Sequence, residues 1–400
     1  MNNKPNYSKG RTRYELVNLM HITGVLTPRT YTLFDRPLIT VKANIGKLKS
    51  EGVVEKSSNK EIFENINMST YSKNRQEIFD EVIPQENLDF FSEYGIKDIK
   101  RAKYSKGDSQ IDSIRVISVS EIVALMYTAG FNTLPDQKGN FYNESVGNAT
   151  TYYQAREIKS RQRTESVVNS NTSGEVAVHA TRSAGLMLSS GGNYMLYHLG
   201  KSLRTWYLTG EYKLVDYATQ MLTKYQPQIN SDINSAILVA YSNKTFYEIV
   251  EPSKKTANQF GALSDIYSHI YTLPFGTYAR DMLKLMQYKD WSDRLMKYLM
   301  DEPRQDTSRE SVVCDYVDDG VYTLVFCVPD IKRLIAFRRA AIHYGTQSKF
   351  KIYCFDFQKE LVEQTLGQYA VILSMDFYDM FSDFLRELQN DESVENYIEG

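Results

Sequence analysis

A chain of 400 residues, 42% hydrophobic and 24% charged, has the make-up of a folded protein of two or three domains with ample apolar mass for its cores. No run approaches the roughly 18 apolar residues that a membrane helix needs, and the first ten residues lack an apolar signal region, so a cytoplasmic protein without membrane partners is predicted. The net charge of −2 hides an asymmetry: residues 1–60 hold 11 Lys and Arg against 4 Asp and Glu, an excess of +7 that leaves −9 for the rest. A basic head on an acidic body suits attraction to phosphates.

In chain order, Tyr14–Ile22 reads as a short helix closed by Gly24. Thr27-Pro28 places a capping residue before a proline at the first helical position and predicts a second helix through about Phe34. A third helix is predicted from about Pro37 to Gly52. Its apolar residues Leu38, Val41, Ile45 and Leu48 recur at spacings of 3, 4 and 3, while Lys42, Asn44, Lys47 and Lys49 fall on the other side. Val53-Val-Glu-Lys56 then reads as the first strand of a wing. Three closely spaced helices followed by such a strand predict a winged helix-turn-helix in residues 1–65, which places its last helix in the major groove. The DNA-binding candidates are Arg29, Lys42, Asn44, Lys47, Lys49 and Lys56, with lysines suited to phosphates and Asn44 suited to an adenine edge.

Residues 66–112 are polar and mixed, with helical pieces at Gln76–Val82 and Glu86–Tyr94 and a loop at Lys106–Gln110. They read as a helical linker before an α/β region at 113–400 that divides near 182. Ile114–Ile117 fits a strand or a helix start, and Ser118-Val-Ser120 caps a helix through Ala129. Residues 132–182 read as loop-rich. Ser190-Gly-Gly192 between two apolar runs predicts a hairpin, and Ser235–Tyr241 and His269–Leu273 predict further strands. The C-terminal portion predicts a β-α-β-α-β unit: strand Val321–Val328, helix Ile331–Tyr344, strand Phe350–Phe355, helix Lys359–Leu366 and strand Ala370–Met375, followed by an acidic helix. Continuous apolar strands between helices imply a sheet covered on both faces, and the expected class is mixed, α+β or α/β.

Several groups suggest chemistry. Asp330, Asp356 and Asp376 follow predicted strands, where carboxylates can converge on a metal, although Asp330 also fits a helix cap. Pro329-Asp-Ile-Lys332 and Asp356-Phe-Gln-Lys359 resemble the restriction-type nuclease layout with the wrong second spacing, which predicts a degenerate core. Tyr152-Tyr153 beside Arg156, Lys159, Arg161 and Arg163 suggests either a tyrosine nucleophile or, better, a basic surface. Helix 331–344 carries a second set of cations, Lys332, Arg333, Arg338 and Arg339. Cys314, Cys327 and Cys354 lack zinc spacing and read as small buried hydrophobes, and the five histidines are scattered. Neither a catalytic residue, a metal nor a cofactor is assigned.

The segments Thr40-Val-Lys-Ala-Asn-Ile-Gly-Lys-Leu-Lys-Ser-Glu-Gly-Val-Val54, Ser118-Val-Ser-Glu-Ile-Val-Ala-Leu-Met126, Tyr152-Tyr-Gln-Ala-Arg-Glu-Ile-Lys159, Thr181-Arg-Ser-Ala-Gly-Leu-Met-Leu188 and Lys351-Ile-Tyr-Cys-Phe-Asp-Phe-Gln-Lys359 resemble the replication-relaxation family of Gram-positive plasmids and integrative conjugative elements. The resemblance implies a DNA-binding accessory or initiator protein in replication, relaxation or conjugative mobilisation. Its expected partners are double-stranded DNA, relaxase or replication proteins, and a second copy of the chain. A metal-dependent DNA-nicking enzyme and a winged-helix transcription regulator are the alternatives.

Overall fold

The computed structural model describes residues 10–56, 69–71, 109–142, 150–159, 181–201, 206, 208–227, 229–252 and 257–398. The chain is mixed α and β and forms two compact units. The first comprises Met1–Ala177, Ala184–Leu186 and Met221–Ile229; the second comprises Val178–Ser183, Met187–Gln220 and Asn230–Gly400.

In the first unit, α1 (Thr12–Thr23) is the central helix, with Leu16, Val17, Leu19, Met20 and Ile22 fully buried. It packs against both α2 (Leu38–Ser50) and α3 (Ser109–Thr128), which explains why its apolar residues surround the helix instead of lining one stripe. Gly24, at φ +80°, ends α1 in the left-handed conformation and donates its N–H to the Met20 carbonyl at 2.8 Å. The expected second helix is only a 3-10 turn, Pro28–Thr32. Thr27 does not cap it with its side chain; that hydroxyl instead donates to Glu121 on α3 at 2.8 Å. After α2, β1 (Val54–Lys56) pairs antiparallel with β2 (Ser69–Tyr71), Val54 opposite Tyr71.

Two expectations change at α3. The helix begins at Ser109, inside the stretch read as a loop, and Ser120 lies within it as a buried residue whose hydroxyl donates to the Val25 carbonyl at 2.6 Å. Ser120 therefore fastens the loop after α1 and caps nothing. The helix belongs to the first unit, as does β3 (Thr151–Gln154). The pieces Gln76–Val82 and Glu86–Tyr94 lie outside the described residues.

The second unit is built on parallel strands. β4 (Ser183–Ser189), whose residues fall in both units, turns through Ser190-Gly191 into β5 (Gly192–Gly200). β6 (Ser235–Ala240), completely buried, runs parallel between β5 and β7 (His269–Pro274), with Ser235 opposite both Tyr194 and His269. α4 (Leu208–Tyr225), α5 (Asn243–Val250) and α6 (Ala257–Ile266) intervene in sequence. Gly191 has no room for a side chain, because a Cβ there would lie 2.1 Å from the Met286 carbonyl oxygen.

After α7 (Thr277–Leu285) and α8 (Trp291–Met300) comes a four-stranded sheet in the order β11-β10-β9-β8. β8 (Tyr316–Asp318) is antiparallel to β9 (Val321–Val325), and β9, β10 (Phe350–Phe355) and β11 (Val371–Met375) are parallel. α9 (Ile331–Tyr344) and α10 (Asp356–Leu366) make the crossovers, and α11 (Phe377–Ile398) follows. The two sheets meet where Thr272 on β7 donates to the Pro329 carbonyl at 3.0 Å. β11 departs from the expectation of full cover: it is an edge strand, with Val371 and Leu373 exposed. Among the described residues, no helix is long and apolar enough to cross a membrane.

Candidate nucleic-acid interface

α2 is divided lengthwise. Val41, Ile45 and Leu48 are buried against the first unit, while Thr40, Lys42, Ala43, Gly46, Lys47 and Ser50 are exposed. Leu38, expected on the apolar face, is partly exposed at the helix entrance. Lys47 and Lys49 occupy the last turn, where cations complement the helix dipole.

The other predicted residues have more varied surroundings. Asn44 is engaged within the protein: its Nδ2 donates to the Thr40 carbonyl at 2.9 Å and its Oδ1 accepts from Arg13 Nε at 3.3 Å. Arg13 also holds Glu51 at 2.9 Å, so it clamps the far end of α2 to α1. One N–H and one oxygen lone pair of the amide are thus engaged within the protein. Arg29 sits 3.6 Å from the wholly buried Glu121 carboxylate, and Lys49 is partly buried. Lys56 lies on β1, its side chain outside the described residues.

The basic surface expected after Tyr152-Tyr153 is only partly described. Arg156 donates to the Ile22 carbonyl and so braces the end of α1, and Lys159 is partly buried. Arg161 and Arg163 lie outside the described residues. Tyr152 and Tyr153 are fully buried, their hydroxyls donating to the Ala184 and Gly139 carbonyls at 2.9 and 3.0 Å. Burial pushes the Tyr152 hydroxyl well above its ordinary pKa, the opposite of what a nucleophile requires. Beside them Lys138 pairs with Glu157 at 2.9 Å, and burial pulls the lysine below its usual range.

The three aspartates have separate structural duties. Asp330 is buried, caps α9 by accepting from the Lys332 N–H at 3.0 Å, and pairs with His269 at 2.9 Å. Asp356 accepts from Tyr278 at 2.8 Å and from the Phe377 N–H at 3.2 Å; Asp376 accepts from the Tyr378 N–H at 2.7 Å. Among the described residues no group of three or more His, Cys, Asp or Glu is placed to hold a metal. The cations of α9 are likewise occupied. Lys332 bonds the Ser264 and Tyr267 carbonyls, Arg333 reaches Asp315 at 2.5 Å, and Arg338 binds Glu251 and the Thr365 carbonyl; only Arg339 of the four is exposed. The cysteines are buried, free thiols.

One residue of α2 was not singled out from the sequence. Ile39 is 77% exposed, and the next most exposed large apolar side chain among the described residues is Tyr212 at 45%. The available signal was that Ile39 stands off the 3-4-3 register of the buried face. In comparisons with family models, curated proteins and solved structures, nothing matches this chain.

Proposed function

We propose that the first unit is a winged helix-turn-helix that binds duplex DNA, with α2 in the major groove and the β1–β2 ribbon as its wing. The supporting observation is the division of α2: three apolar side chains are buried while Lys42 and Lys47 project into solvent. A helix held by one face and cationic on the other meets the steric and electrostatic demands of a groove lined by phosphates. The excess of +7 in residues 1–60 adds long-range attraction that the acidic remainder does not.

On this reading, Lys42 and Lys47 contact phosphates, with Arg29, Lys49 and Lys56 nearer the flanks. The wider role is that of a DNA-binding accessory or initiator protein in the replication, relaxation or mobilisation of a plasmid or integrative element, a setting supported by the sequence resemblance. The test is the duplex affinity of Lys42→Ala/Lys47→Ala across a salt series. Loss of two phosphate contacts flattens the slope of log K against log salt by about 2. Unchanged affinity and slope would remove α2 from the interface.

A transcription regulator that responds to a small molecule is the second reading, favoured by a cavity of about 330 Å³ in the first unit. Glu15 of α1, Arg36 of the turn entering α2 and Tyr127 of α3 line it. Glu15 Oε2 is buried there with no hydrogen-bond partner among the described residues, the sort of orphan acceptor that an occupant satisfies. Footprints confined to promoters would favour this reading over a role at a replication or transfer origin.

A further inference from the structure

We infer that Ile39 reads a thymine methyl group in the major groove. This rests on the duplex-binding reading of α2 and specifies what that helix recognises. At about 100° per residue, Ile39, Ala43, Gly46 and Ser50 form one line along the outermost face of α2, opposite Val41, Ile45 and Leu48. Lys42 falls to one side of that line and Lys47 to the other. A helix of this section enters a groove with a cation toward each wall and an apolar contact at the floor.

The fold does not account for Ile39. It is 77% exposed and lies beside Leu38, itself 38% exposed, in the first turn of the helix. The major groove offers one apolar feature, the C5 methyl of thymine, and β-branched or small apolar side chains meet it by direct contact. Behind Ile39 the line carries only small residues. Among the described residues a Cβ at Gly46 would meet nothing within 4 Å, so none of them requires glycine there, and a glycine within a helix costs about 1 kcal/mol relative to alanine. Small residues let the backbone approach the base edges until Ile39 touches them. Asn44, bonded to Arg13 and Thr40, stands off this line.

The lysines on both flanks argue for DNA as the occupant over an apolar protein surface, which would have to desolvate two ammonium groups. Duplexes are selected from a randomised pool with the full chain, and each thymine of the selected site is then replaced by uracil, which removes only the methyl. With the native chain, one replacement is expected to weaken binding about three- to tenfold, and with Ile39→Ala the same replacement less than twofold. Ile39 is solvent-exposed, so the variant retains the fold; circular dichroism checks this. If no uracil weakens binding, or the loss is equal in both proteins, the methyl contact is overturned while duplex binding stands. If no duplex is retained above background, the reading of α2 falls with it. If Ile39→Ala converts a dimer to a monomer in light scattering, the apolar spot belongs to a second copy and the inference is wrong.

Discussion

Glu121 and Thr27, 94 residues apart in sequence, form a buried hydrogen bond of 2.8 Å that ties α3 to the start of the 3-10 turn ahead of α2. One position earlier, Ser120 fastens the Val25 carbonyl, so two consecutive residues of α3 hold the loop that sets the angle between α1 and α2. Arg29, 3.6 Å from the same carboxylate, completes the attachment.

Glu121→Ala is therefore expected to leave Thr27 unpaired in an apolar site and to destabilise the first unit by about 2–4 kcal/mol. Hydrogen exchange of the amides in α1 and α2 should accelerate well before that of β6 in the second unit. Uniform acceleration across both units, or none, would contradict the tie.

Asn44→Ala separates structural from reading roles. The variant loses the bonds to Arg13 and Thr40, a cost of about 1 kcal/mol in thermal unfolding, and retains the base preference of the native chain. A change in the selected DNA sequence would return Asn44 to the base edge.

Tyr152→Phe and Tyr153→Phe should each cost about 1–2 kcal/mol of stability, because the Ala184 or Gly139 carbonyl loses its hydroxyl partner. Neither change should alter how the protein affects supercoiled plasmid in magnesium buffer. Nicking by the native chain that either variant abolishes would make the tyrosine a nucleophile despite its burial.

Alkali should unfold the second unit. Tyr194, which donates to the Gly191 carbonyl at 2.7 Å and accepts from Trp291 at 3.1 Å, has its pKa pushed up to about 12 by burial; Tyr197 and Tyr271 are raised as well. Between about pH 10 and 12 the unfolded chain sheds tyrosine protons that the folded chain keeps, so stability falls by about 1.4 kcal/mol per pH unit for each such tyrosine. The tyrosinate absorbance should rise together with loss of helix. Full ionisation at about pH 10 in a still-folded protein would refute the shifts.

Much of the local structure was legible in the residues themselves. The 3-4-3 spacing of α2, Gly24 as a left-handed terminator and the apolar runs of β6, β7, β9 and β10 all express periodicity or backbone preference that a few neighbouring residues determine. What those segments touch depended on pairings across long stretches of chain. Ser120 had the sequence of a cap but is a buried tie to Val25; Asn44 has the chemistry of an adenine reader and also bonds Arg13; the cations of α9 read as a basic set, but Lys332, Arg333 and Arg338 bond internal carbonyls and carboxylates. Tyr152 and Tyr153 had the chemistry of nucleophiles but lie in the interior. A polar side chain has the same identity whether solvent or a partner 90 residues away satisfies it, and that choice is made only when the chain packs.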